Sequence, residues 1–482
     1  MKNTLLCFLI LVLYGCAGGA SGGAFSVPTL PSKSESQSAN VGESNSVFVG
    51  YDDSGSTAIS QLLKYQINNE IYVDPDLAQP YEILNAEKFE SENMVAIGDF
   101  KISVGLLQSE SKEAGKVLYD LGVHLQAPTI TREERPDFVI TYCIDVSGSM
   151  SESTGASDLS VKSKMTLVKE GLIASINMLN DGDVVNIVTF SDKFKTLVEN
   201  YIHGESDVEA LLTKINAMKA SGSTNLEGGL KLAYQIANKY HVSEKKSRVL
   251  LATDAIVNGG SADPKFIADN IVVNNKNGIL LCGVGIGFDY DASFLEKLTE
   301  ASSGNQFLLA TDADAEYIFS DGLFPLLMVA AKNLKVEIVY PVTLTHISSA
   351  AEQVTTTASE LKGINFSNNS DQYYLERFKT EIDTVVTNKE FEIQLTYTDP
   401  TSNELISVSK TFVIDSILSN ESSNIKDALA MIYLTSLIKG NKNWDDMKWE
   451  FEHVFSGHHS YIYAEFKSLI YKFAGQKDED EF

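Results

Sequence analysis

The chain has 482 residues, of which 44% are hydrophobic, and its 65 acidic against 38 basic side chains give a formal net charge of −27. That length and apolar content suffice for two or three packed domains, whereas so acidic a balance argues against nucleic acid and against adsorption to anionic lipid surfaces. Acidity suits a protein that must stay soluble outside the cytoplasm, and it can gather divalent cations. Of the cysteines, only Cys143 and Cys282 lie beyond residue 16, each inside an apolar run, which favours two buried packing thiols over a disulfide.

At the N-terminus, Lys2 precedes an apolar run over residues 5–13, too short to span a bilayer, and then Leu13-Tyr14-Gly15-Cys16. This resembles a bacterial lipoprotein signal peptide. The resemblance implies that residues 1–15 are removed and Cys16 is acylated, with a plain secretory signal cut near residues 17–20 as the alternative. Either way the chain is expected to leave the cytoplasm. Ala17 in place of Asp implies, by the same resemblance, a lipid anchor in the outer membrane of the cell envelope if the source is a diderm bacterium. Residues 16–46, rich in Gly, Ser, Pro and Asn, cannot bury a core and read as a flexible tether.

Residues 47–92 carry apolar positions at helical spacing over 58–67 and again over 81–85. Residues 93–136 alternate with period two, as in Phe100-Lys101-Ile102-Ser103-Val104-Gly105-Leu106, and read as strands.

Residues 137–331 then read as an α/β domain. Strand 137–144, helix 164–179, strand 184–190, helices 207–218 and 226–240, strand 248–253, helix 264–274, strand 278–283, helix 293–301 and strand 305–309 follow in order. Such alternation implies a doubly wound parallel sheet covered on both faces. The first strand runs into Ile144-Asp145-Val146-Ser147-Gly148-Ser149-Met150, so a buried strand ends in one carboxylate and two hydroxyls, with Gly148 at the turn. Ser221-Gly222-Ser223-Thr224-Asn225 is a turn-rich loop before a helix, and Asp254 ends a later buried strand. In a parallel sheet these residues share the C-terminal edge, where open α/β sheets bind ligands.

The ordered set resembles the von Willebrand factor type A domain and its metal-ion-dependent adhesion site. The resemblance implies that Ser147, Ser149 and Thr224 coordinate a cation directly, while Asp145 and Asp254 act largely through hydrogen bonds and bridging waters. Mg²⁺ is the expected ion, with Mn²⁺ or Ca²⁺ as alternatives. Neutral hydroxyls and waters can fill most of the shell of a hard cation and leave it electrophilic, so the expected partner is a protein presenting an Asp or Glu carboxylate. Two other readings of the residues stand beside this. Ser147 and Ser149 could merely cap the following helix while Asp145 satisfies a turn. A serine nucleophile fits poorly, because the segment is no GxSxG elbow and no His lies near it in sequence. Gly283-Val284-Gly285-Ile286-Gly287 lacks the spacing of a dinucleotide cradle and reads as a strand-end loop.

Some features depart from the family pattern. Ala255 follows Asp254 where a Gly is common, and the stretch 151–163 between the triplet and its helix is longer than in compact domains of this type. That stretch rims the metal, so Ser151, Glu152, Ser153, Thr154 and Asp158 are candidate partner contacts, against a plainly solvated loop. Glu227 could turn its carboxylate toward the site, although an acid favouring the start of its helix is the simpler reading.

Residues 332–416 resume the period-two pattern, as in Phe391-Glu392-Ile393-Gln394-Leu395-Thr396-Tyr397, and residues 417–482 read as amphipathic helices with an acidic tail. Strands on both sides of an α/β insert suggest one β-sandwich interrupted by it, with two separate β-modules as the alternative. The segment preceding the α/β domain is similar to that of a bacterial envelope group commonly labelled calcium-activated chloride channel homologues. Residues 323–331 are apolar but too few to span a membrane, and without a later span the chain is not expected to form a channel. His453, His458 and His459 fit no closed zinc set. The expected function is adhesion or scaffold binding without enzymatic activity, with an assembly or chaperone-like role on envelope proteins next and a metal-assisted hydrolase last.

Overall fold

The computed structural model describes residues 44–51, 58–155, 162–258, 263–275, 278–300, 304–319 and 328–475. Cys16, Asp158, the acidic tail and most of the apolar run 323–331 lie outside them.

The described chain opens with β1 (Ser44–Gly50), a strand in a region the sequence pattern assigns to tether and helix. Helices α1 (Ala58–Asn68) and α2 (Pro80–Ala86) follow, then β2 (Val95–Ile97), β3 (Phe100–Glu110) and β4 (Lys116–Gln126). The α/β region runs β5 (Phe138–Asp145), α3 (Lys164–Asn177), β6 (Val184–Phe190), β7 (Phe194–Ile202), α4 (Val208–Asn216), α5 (Leu226–Tyr240), β8 (Lys246–Thr253), α6 (Pro264–Asn275), β9 (Leu280–Ile286), α7 (Ala292–Glu300), β10 (Gln306–Leu309) and α8 (Asp312–Phe319). Beyond it lie β11 (Val329–Pro341), β12 (Thr345–Ser349), β13 (Gln353–Thr355), β14 (Ile364–Ser367), β15 (Asp371–Glu381), β16 (Glu390–Thr398) and β17 (Leu405–Val413), and then helices Ser422–Ile438, Trp444–His453 and Tyr461–Phe473.

The central sheet has the order β10-β9-β8-β5-β6-β7. Every residue of β5 and β6 is buried, as near-continuous apolar runs dictate when helices cover both faces. The pairings β5–β6, β5–β8, β8–β9 and β9–β10 are parallel. The expected parallel sheet has one exception, the antiparallel edge strand β7 paired to β6.

The flanking strands form two antiparallel sheets, one running β13-β1-β11-β16-β17 with β14 on β11, the other running β12-β15-β4-β3-β2. Both sheets combine strands from before and after the α/β region, as β1 pairs with β11 and β15 with β4. Their inner faces share one apolar core that includes Val47, Ile102, Leu121, Ile338, Phe378 and Ile393. This is the interrupted β-sandwich, not a pair of modules. Helices α3, α4 and α8 pack on one face of the central sheet through Leu167, Leu172, Leu211 and Phe319. On the other face Leu230, Leu295 and Leu308 join a cluster containing Leu62 and Leu63 of α1 and Leu429 and Phe466 of the C-terminal helices. Among the described residues no helix is long and apolar enough to cross a membrane.

Helix α1 bears directly on the sheet's C-terminal edge. Its Tyr65 stacks on Phe288 at 3.9 Å between ring centroids and 3° between planes, and the Tyr65 hydroxyl donates to Gly155 O at 3.0 Å.

Candidate metal centre

Parallel pairing brings the ends of β5, β6 and β8 together, and backbone hydrogen bonds then stitch their loops. Val146 N donates to Phe190 O at 2.8 Å, Ser221 N to Val146 O at 2.7 Å, and Gly148 N to Gly222 O at 2.9 Å. Gly222 holds φ at +86°, and a Cβ there would lie 2.4 Å from Asp192 Oδ1, so this turn needs glycine. The Thr224 N–H donates to Asn258 Oδ1 at 2.6 Å, which fixes the Thr224 loop against the one after β8.

Asp145 is fully buried. Its Oδ1 accepts the Ser147 N–H at 2.8 Å and its Oδ2 the Thr253 hydroxyl at 2.7 Å. Burial pushes its pKa up to about 6, against those hydrogen bonds, and neighbouring Asp254 adds to the rise. A carboxylate held at such electrostatic cost suits a site where a cation would relieve it.

Ser147 precedes a short 3₁₀ turn, Gly148–Ser151, yet its side chain makes no capping hydrogen bond. Its Oγ lies 3.1 Å from Ser149 Oγ instead. Capping therefore does not account for Ser147. Thr224 is 1% exposed, and its Oγ1 is buried without a hydrogen-bond partner among the described residues. An orphaned buried hydroxyl costs about 1–3 kcal/mol. These hydroxyls, with two carboxylates behind them, make a hard-oxygen donor set that fits Mg²⁺. Among the described residues no group of three or more His, Cys, Asp or Glu could hold a metal.

Asp254 is also wholly buried, but it is engaged in a way the sequence did not signal. Its Oδ2 lies 3.2 Å from Lys164 Nζ, which also contacts Asp289 Oδ1 at 2.7 Å. The residue after it, Ala255, takes φ of +56°, the left-handed region where glycine is usual. Thr253, Lys164, Asn258 and Asp289 are thus site residues the sequence reading missed. Thr253 is hidden in an apolar strand run, and nothing local marks the others.

The rim residues separate. Glu152 is exposed, whereas Thr154 is buried and Ser151 Oγ is turned back onto Gly148 O at 2.8 Å. Glu227 pairs with Lys231 one helical turn on, which supports the helix-start reading. Farther away, the His458 Nε2–H donates to Asp427 Oδ1 at 2.8 Å and the histidine is 9% exposed, a buried structural pair. Cys143 and Cys282 are free and buried.

Residues 140–257 match the von Willebrand factor type A domain family, and the doubly wound region has that fold. The chain is 28% identical over 219 residues to the uncharacterized protein YfbK of Escherichia coli K12, covering 45% of this chain and 36% of that protein. It is 25% identical over 246 residues to inter alpha-trypsin inhibitor heavy chain 4 of Mus musculus, covering 49% of this chain and 24% of that one. The match therefore spans about a third and a quarter of these relatives' own lengths. A solved structure named von Willebrand factor type A from Catenulispora acidiphila aligns with a TM-score of 0.41 at 13% identity, over 80% of this chain and 98% of that chain.

Proposed function

We propose that the α/β region is a metal-ion-dependent adhesion site that captures an Asp or Glu carboxylate of a partner protein, in an adhesion or scaffold role. The observation that carries this reading is the buried, unpartnered Thr224 Oγ1, on a loop that the Gly148 N–H to Gly222 O hydrogen bond ties to the loop of the paired Ser147 and Ser149 hydroxyls. A hydroxyl left dry without a donor or acceptor is unfavourable unless something else meets it.

Ser147, Ser149 and Thr224 would hold the ion directly. Asp145 and Asp254 already receive protein donors, from Ser147 N–H and Thr253 on one side and Lys164 on the other, so they would act behind the hydroxyls through hydrogen bonds and waters. Bound Mg²⁺ would supply an electrophile whose charge neutral ligands leave largely uncompensated, with Mn²⁺ or Ca²⁺ as substitutes. Exposed Glu152 stands at the rim, where it selects among partners by charge.

The proposed setting is the bacterial cell envelope. Residues 1–15 would be removed, Cys16 acylated as an outer-membrane anchor, and the following residues would act as tether. The chain would then be a member of the lipoproteins labelled calcium-activated chloride channel homologues, with neither channel nor enzymatic activity proposed for it.

The test is a pull-down from envelope extract with the wild type in Mg²⁺, the wild type in EDTA, and Ser147→Ala plus Ser149→Ala in Mg²⁺. A partner retained by the wild type in Mg²⁺ alone supports the reading and identifies the ligand. Equal capture in all three arms would refute metal-mediated binding. Transient capture of many newly made envelope proteins would favour an assembly role over adhesion.

A further inference from the structure

Lys164 is the first residue of α3, and its side chain has no exposed surface. Burying an ammonium is strongly unfavourable unless it is paired and hydrogen-bonded. Its Nζ meets Asp254 Oδ2 at 3.2 Å, with Asp254 equally buried, and Asp289 Oδ1 and Oδ2 at 2.7 and 2.8 Å, with Asp289 half exposed.

A passage for this side chain is built into the fold. The Lys164 N–H donates to Glu152 O, and Ser153 bridges Ser163, so the two ends of the rim loop are held together beside it. The Phe288 N–H donates to Thr154 O at 2.9 Å, joining that loop to the one after β9. Gly287 has φ of +81°, and a Cβ there would stand 2.7 Å from Lys164 Cε, so the stem passes where only a glycine leaves room.

Asp254 is thus already engaged by a resident cation at the edge where the hydroxyls would hold a divalent ion. We infer that Lys164 is a built-in counter-cation of the adhesion site, a positioning residue that holds Asp254 when no metal is bound and lowers the site's affinity for a divalent ion, so that firm metal retention waits for a partner carboxylate. Asp289 tunes this by drawing part of the ammonium's charge outward. The inference rests on the metal-site reading proposed above and adds its regulation.

Two substitutions separate a counter-cation from a mere structural clamp. Lys164→Met keeps the unbranched stem and removes the charge. Asp289→Asn removes the outer acid and leaves Lys164 to act on Asp254 alone. The full chain is titrated with MgCl₂ by calorimetry, and thermal unfolding is followed in EDTA. Removing a unit charge close to a dication in an interior of moderate dielectric should tighten Mg²⁺ by about tenfold or more in Lys164→Met. Asp289→Asn should weaken it several-fold. Both variants should unfold at lower temperature than the wild type in EDTA.

Opposite shifts in affinity support the inference, as does Mg²⁺ binding by Lys164→Met where the wild type binds too weakly to detect. Unchanged or weakened binding in Lys164→Met beside a binding wild type overturns the counter-cation while leaving the metal site standing. If Lys164→Met fails to fold, Asp289→Asn decides: weaker Mg²⁺ binding supports the inference, and unchanged or tighter binding overturns it. Absence of Mg²⁺ binding in the wild type and both variants overturns the site and the inference together.

Discussion

Thr253 gives the most quantitative test of how the site is held. Its hydroxyl donates to Asp145 Oδ2 at 2.7 Å and accepts the Ala255 N–H at 2.9 Å, and the residue is fully buried. Thr253→Val keeps the branched shape but deletes both bonds. A hydrogen bond to a charged group contributes about 1.5–3 kcal/mol, and orphaning a buried backbone N–H costs about 1–3 kcal/mol, so the loss should be about 4 kcal/mol. Thr253→Ser keeps the hydroxyl and loses one methyl, for about 1 kcal/mol. Hydrogen exchange read by mass spectrometry on peptides covering β5 and β8 reports the opening free energy of this sheet directly. A Thr253→Val effect within about 1 kcal/mol of wild type, or a Thr253→Ser effect as large as that of Val, would refute the assignment of Thr253 as the residue that orients Asp145.

Other perturbations address the neighbouring backbone and the sandwich. Gly222→Ala places an L side chain at φ of +86° with its Cβ against Asp192, and should destabilise the Thr224 loop by roughly 1–3 kcal/mol, read as faster exchange there and weaker Mg²⁺ binding. Ala255→Gly relieves a left-handed alanine at φ of +56° but loses a buried methyl, two opposing effects of about 1 kcal/mol each, so its stability should stay within about 0.5 kcal/mol of wild type. The control Ala252→Gly, in β8 at 0% exposure, should cost about 1 kcal/mol or more. In the sandwich, burial raises the pKa of Glu376 against hydrogen bonds from His346 and Ser349. A raised folded pKa means that the group's contribution is fully present below its unfolded value and is lost as pH rises through the folded one. Urea midpoints of the wild type should therefore fall relative to Glu376→Gln as pH climbs from 4.5, whereas parallel profiles would contradict the shift.

The metal-site candidates were legible where chemistry is contiguous in sequence. Asp145, Ser147 and Ser149 follow one buried strand, and the loops of Thr224 and Asp254 could be placed because α/β alternation fixes which strand ends share an edge. Strand β7 was not legible. Its pairing with β6 carries register shifts, and its burial does not alternate cleanly, so the period-two signal is broken. Strand β1 was hidden because Ser44-Asn45-Ser46 extends the polar composition of the preceding stretch, and its pairing partner β11 lies nearly 300 residues away. Lys164 reads as an ordinary solvated lysine at the start of a helix. Only the fold brings Asp254 and Asp289 to it, and a buried ion pair between residues 90 apart leaves no local trace.

The measurement that bears most directly on the proposed site compares wild type with Thr224→Val, each unfolded thermally in EDTA and in saturating MgCl₂. Val matches the shape of Thr but removes the buried hydroxyl that has no partner among the described residues. In EDTA the variant should be at least as stable as the wild type, because it sheds an orphaned polar group. In MgCl₂ the wild type should rise in unfolding temperature and the variant should not, since a ligand stabilises only the form that binds it. Equal Mg²⁺ stabilisation of both proteins, or none in either the wild type or Lys164→Met, would contradict a cation held by Thr224.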